Sequence, residues 1–121
     1  MDFGARLQTL VDLIAAAGLD AALDARDVNP PGVLVSGSAV LPSVRLNGVD
    51  LLRASVILFA RDTGDAAAYT DLSDLYAKVT AVIGPIRTGE EAPFEWRSLP
   101  DNPTALPTLR LTVALKEGGR P

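Results

Sequence analysis

The chain has 121 residues, 11 of them basic and 15 acidic, with no histidine and no cysteine. That length suits a single domain, 1–121, able to bury a core without covalent staples. The missing residue types exclude disulfides, thiolate metal sites and histidine-activated nucleophiles. The net charge of −4 and pI near 4.6 exclude a nucleic-acid grip built on Lys and Arg.

The first predicted element is a helix from Phe3 to Ala17. Phe3, Leu7, Leu10, Val11 and Ile14 recur at helical spacing on one face. Gly18 fits the position just past its end. Asp20 to Ala25 reads as a further turn or two of helix. Asn29-Pro30-Pro31-Gly32 then stops any helix or ladder, since two successive residues lack an N–H.

A short strand follows at Gly32–Ser36. After Pro42 a longer β region runs from Ser43 to Arg61, broken at the turn dipeptide Asn47-Gly48. Within it Leu52, Ala54, Val56, Leu58 and Ala60 share one face. Arg53, Ser55, Ile57, Phe59 and Arg61 share the other. Neither face is wholly polar, so one is expected against the helices and the other against a neighbouring subunit.

Asp62-Thr63-Gly64-Asp65 opens a second helix whose stripe runs through Ala68, Leu72, Leu75, Tyr76, Val79, Val82 and Ile83, closed by Gly84-Pro85. Phe94–Leu99 reads as a strand, Pro100–Pro103 as a turn. Leu109, Leu111, Val113 and Leu115 then alternate with Arg110, Thr112, Ala114 and Lys116 in the cleanest half-buried strand of the chain. The expected fold is α+β in the order helix, strand, strand, helix, strand, strand. It has a mixed or antiparallel sheet of four to five strands with two helices on one face.

Candidate chemistry is sparse. Gly32–Ser38 echoes a phosphate loop but lacks the lysine and the following helix. Asp20, Asp24 and Asp27 lack the backbone turn and bidentate Glu of a calcium loop. Ser36, Ser38 and Ser55 have only Lys78 or Lys116 as conceivable bases, at spacings that give no support. An enzyme is not expected, and neither is a cofactor or a metal.

Surface is the more informative feature. Hydrophobic residues make up 48% of the chain, and Gly adds 10 more, together above the usual share of about 45–50%. Part of that surface is expected to be covered by other subunits; alanine enrichment from a GC-rich genome is the plainer explanation. Phe94 and Trp96 share one strand face, with Trp96 either a core plug or an interface anchor. Arg45, Arg53 and Arg61 make the β region basic while both helices are acidic. They serve either as ordinary surface ion pairs or as an inter-subunit charge match. The candidate subunit-interface residues are therefore Arg45, Arg53, Arg61, Phe59 and Trp96.

Taken together these residues resemble a known family. The leading amphipathic helix, Asn29-Pro30-Pro31-Gly32-Val33-Leu34-Val35 entering the first strand, and the Pro-led Leu41-Pro42-Ser43-Val44 carry the first part. The long apolar strand Leu52–Ala60, the Ala-rich helix opening at Asp65–Tyr69 and the final Leu/Val strand carry the rest. In order and texture the chain is similar to the tail terminator proteins of long-tailed bacteriophages, particularly the actinobacteriophage type. The resemblance implies a structural virion protein at the neck of the tail, assembled in the host cytoplasm. Such a protein forms a hexameric ring that caps the head-proximal end of the tail tube, stops its polymerisation and presents a surface to the head connector. Its partners are copies of itself, the tail tube protein and the head–tail connector or stopper protein. Six copies would carry roughly −24, so DNA passes through the lumen without specific binding. Alternatives are another head–tail connector or minor tail component, or a small ligand-binding regulatory domain. No membrane span is expected, because no apolar run is long enough, and Met1-Asp2-Phe3 does not begin a signal peptide.

Overall fold

A computed structural model describes residues 2–41, 51–61, 65–84, 91–100 and 102–115. Arg45 and the Asn47-Gly48 turn lie outside these. The first helix, α1, spans Phe3–Ala16. Its start is fixed by Asp2, whose Oδ1 accepts a hydrogen bond from the Ala5 N–H at 3.0 Å. Its end is fixed by Gly18 at φ +87°, a left-handed turn that only glycine enters without strain. Gly84, at φ +90°, ends the second helix, α2 (Asp65–Ile83), in the same way.

Between α1 and the proline pair the structure departs from expectation. Asp20–Ala25 is not helix. Ala21–Ala22 forms a two-residue strand, β1, and Ala25–Asp27 a short 3₁₀ helix. The cause is bonding that competes with a helix, one bond from a distant strand and one local. The Asp20 carbonyl accepts from the Val33 N–H at 2.8 Å, and Asp24 Oδ1 accepts from the Arg26 N–H at 3.0 Å.

Four longer strands complete the sheet: β2 (Gly32–Leu41), β3 (Leu51–Phe59), β4 (Phe94–Leu99) and β5 (Asn102–Leu115). Their spatial order is β1-β2-β3-β5-β4. β1 runs parallel to β2, and every other pairing is antiparallel. Among the described residues the fold is thus α+β with a five-stranded mixed sheet and two α-helices. The last strand is longer than its Leu/Val alternation suggests. Pro103 and Pro107 mask its first half, which pairs with β4 alone.

Both helices lie on one face. Leu10, Val11 and Ile14 of α1, and Ala68, Leu72, Leu75 and Val79 of α2, meet Val33, Val35, Leu52, Ala54, Val56, Leu58, Leu109, Leu111 and Leu115. Burying each of the larger side chains contributes about 1.5–3 kcal/mol. Arg6, itself buried, reaches from α1 to donate to the Leu115 carbonyl, joining the first element to the end of the last.

The opposite sheet face carries a second, smaller core. Ile57, Phe59, Leu99 and Leu106 pack there with Ala22 and Val28, so the chain's own 22–28 stretch covers part of the face that sequence alone assigns to a neighbour. Phe59 is 1% exposed. Its expected place at a subunit contact is therefore corrected: it is a core residue with no side-chain surface to offer.

Candidate functional site

Of the two lysines considered as bases Lys116 lies outside the described residues, and Ser36 and Ser55 are not brought to the other. Ser36 and Ser55 stand opposite one another on neighbouring strands, with Thr112 next across the sheet. Their side chains point away from the helices, whereas Lys78 is exposed on α2 in the helical layer. Among the described residues no group of three or more Asp or Glu is placed to hold a metal ion. Asp24 instead takes its own-chain Arg26 as partner, with Arg26 Nη2 2.8 Å from Oδ2. The hydrogen bond from the Arg26 side chain, then that from its backbone N–H, holds the Asp24 carboxyl at about 2.

Of the arginines, Arg53 lies exposed on β3 between Ala39 and Ala114. Arg61 is exposed but already has a partner. It pairs with Asp71 on α2 of its own chain, Nε to Oδ2 at 3.1 Å. The expected match of basic strand to acidic helix is thus made within the chain at this position.

The distinctive surface is at the β4 edge. Phe94 and Trp96 are each 62% exposed, which removes the core-plug reading of Trp96. They sit on the helix side of the sheet beside Tyr69, 54% exposed, whose ring meets Phe94 edge to face at a 5.5 Å centroid separation. Between them runs a groove of about 370 Å³, walled by Tyr69, Leu72 and Tyr76 of α2 and by Ala92, Phe94 and Leu109 of the sheet side. An exposed aromatic surface of this kind on a small domain is a candidate contact site. Sequence reasoning identified Phe94 and Trp96 but not Tyr69, because only the fold brings α2 over the β4 end.

On the other side of β4 the chemistry is ionic. Glu95 Oε1 lies 3.2 Å from Arg97 Nη2 and 3.2 Å from Arg110 Nε. The Glu95 carbonyl also accepts from Thr108 Oγ1 at 2.8 Å. The edge strand therefore shows aromatic rings on one face and alternating charge on the other.

At the far end of the sheet, among the described residues, β1 pairs with β2 at Val33 and Leu34 alone. Beyond it Gly37, Ser38, Ala39 and Val40 are exposed. No helix among the described residues is long and apolar enough to cross a membrane. Neither the family models nor the curated proteins compared with this sequence match it.

Proposed function

We propose that this chain is a structural virion protein of the tail-terminator kind. It assembles as a hexameric ring on the head-proximal end of a phage tail tube, halts tube growth and offers the head connector its seat. The observation that carries this reading is a pair of unlike exposed surfaces: the β2 end of the sheet with Arg53, and the helical layer with Asp12 and Asp74. A closed ring of identical subunits needs two different patches per subunit, since each contact is head to tail. In this reading Arg53 and the β2 end meet acidic groups of the next subunit's helical layer, where Asp12 and Asp74 are exposed. The β4 edge is left for a second kind of contact.

The test is to mix the purified protein with isolated tail tubes and image them. Rings at one tube end support the reading, and bare tubes at saturating protein contradict it. Arg53→Glu is expected to fold as the parent does, by circular dichroism, yet to leave tubes uncapped.

A second reading rests on the aromatic groove, whose volume falls in the range of small-molecule sites, about 300–1,000 Å³. A small ligand-binding domain of that kind would show a rise in melting temperature with a metabolite. The ring reading expects none.

A further inference from the structure

We propose that β4 is a self-recognition edge, through which two copies of this chain join their sheets antiparallel about a two-fold axis at Trp96. The contact does not rest on the ring reading: a head-to-tail ring uses two unlike surfaces, and this one uses the same surface twice.

The first argument is the direction of the backbone. Among the described residues β4 is the last strand in the order and has β5 as its sole neighbour. The Arg110 N–H donates to the Pro93 carbonyl at 3.1 Å, and Glu95 stands opposite Thr108, Arg97 opposite Leu106. An antiparallel ladder alternates residues that exchange hydrogen bonds with residues that do not. Glu95 and Arg97 therefore turn their N–H and C=O toward β5, while Phe94 and Trp96 turn theirs to the open edge. Pro107 corroborates this. It lies opposite Trp96, a position where β5 needs no N–H to give.

The second argument is register. A strand added at this edge must bond to the outward residues, so outward must face outward. Three antiparallel registers keep the middle of β4 paired with a copy of itself. One sets Glu95 against the second copy's Glu95, and another sets Arg97 against the second copy's Arg97. Both place like charges directly opposite, in the close positions where such pairs repel. The third puts Trp96 on the axis and opposes Glu95 to the second copy's Arg97, and Arg97 to its Glu95. Only this register is charge-complementary, and symmetry supplies the match twice. Parallel in-register pairing fails for the same reason as the first two.

The third argument is what the other face gains. In this register Trp96 meets the second copy's Trp96, flanked by Phe94 from each side, so rings that are 62% exposed become covered. The ladder irregularity between Arg97 and Leu99 ends the pairing at one side, and β4 itself begins at Phe94 on the other. The segment is short, so the pair is expected to depend on concentration.

Because the chain has no cysteine, a single introduced thiol reports unambiguously. The full-length Trp96→Cys variant should form a symmetric disulfide under mild oxidation, since Cα atoms in hydrogen-bonded cross-strand pairs lie about 5.5 Å apart, within disulfide range. Phe3→Cys, exposed on α1 away from β4, serves as the control and should cross-link slowly. Sedimentation of the unmodified protein should show a monomer–dimer equilibrium. Glu95→Arg and Arg97→Glu should each weaken it by about tenfold or more. Mixing those two variants should restore a heterodimer, because each then supplies the charge the other lacks. A chain that sediments as a monomer at every concentration would overturn the proposal. So would cross-linking no faster at Trp96→Cys than at Phe3→Cys, or folded charge variants that fail to associate when mixed.

Discussion

Arg61, just past the end of β3, grips Asp71 of α2 with both prongs of its guanidinium. Nε lies 3.1 Å from Oδ2 and Nη2 3.1 Å from Oδ1, and the Arg61 backbone N–H donates to Oδ2 at 3.3 Å. The pair ties the exit of the central strand to the helix that follows it. Arg61 is largely open to solvent, but the Asp71 side chain is only 11% exposed. Arg61→Glu therefore leaves two carboxylates facing each other, with that of Asp71 little exposed to solvent. The expected result is a melting temperature several degrees lower in the isolated chain, with Arg61→Lys in between because it keeps the charge and loses the fork. An unchanged melting temperature for Arg61→Glu would show that the pair adds nothing to stability.

The same chemistry sets the response to acid. Arg26 holds the Asp24 carboxyl at about 2 against an ordinary 3.8, and the hydrogen bond from Arg61 lowers that of Asp71. Both groups bind protons less readily when folded than when unfolded. Their contribution is therefore complete above the ordinary carboxylate value and is lost as pH falls through the folded values. Stability should be flat from neutral pH to about 5 and then decline toward about 2. Asp24→Asn and Asp71→Asn should each flatten that decline, as read by denaturant midpoints across the pH series. A decline that begins near neutral pH would point to other groups.

The core predicts larger effects. Val56 and Leu111 are neighbours across β3 and β5, 0% and 1% exposed beneath the helices. Leu111→Ala should cost about 2–5 kcal/mol, the transfer term plus the cavity it leaves. Val56→Asp should abolish folding, because it buries a carboxylate in a cluster of apolar side chains. A soluble Val56→Asp variant with native circular dichroism would mean that the helices do not seal this face.

Much of this fold is legible in the residues alone, for a physical reason. Leu10, Ile14, Leu72 and Val79 recur with the helical period, and Leu109, Leu111 and Leu115 with the strand period, so local geometry and burial agree. The reading breaks where they compete. Asp20–Ala25 has the composition of a helix, yet a distant backbone group, the Val33 N–H, claims the Asp20 carbonyl. Phe59 shares a strand face with Arg53, and only the return of residues 22–28 beneath the sheet decides that the ring is covered. The candidate contact surface was half visible. Phe94 and Trp96 alternate on one strand, but their exposure depends on β4 being last in the sheet, and strand order is a long-range property no local pattern encodes. Arg61 and Asp71 likewise meet only through the fold.

Gly32 shows how tightly that long-range packing constrains one position. A Cβ added there would lie 2.7 Å from the Asn29 carbonyl oxygen and 3.2 Å from that of Asp20. Both atoms belong to backbone, and the Asp20 carbonyl is already engaged by Val33. Neither can swing aside as a flexible side chain would, so Gly32→Ala must shift the junction of β1 and β2 and should cost about 1–3 kcal/mol. Gly37 on the same strand supplies the contrast. Its added Cβ would sit 3.6 Å from Leu7 Cδ1, an ordinary contact. Gly37→Ala should be neutral or stabilising by about 0.4–1 kcal/mol, since alanine restricts the unfolded chain more than glycine does. Urea unfolding of the two variants side by side measures the difference. Coincident midpoints would mean that the β1–β2 junction yields freely, and that Gly32 owes its place to something other than close approach.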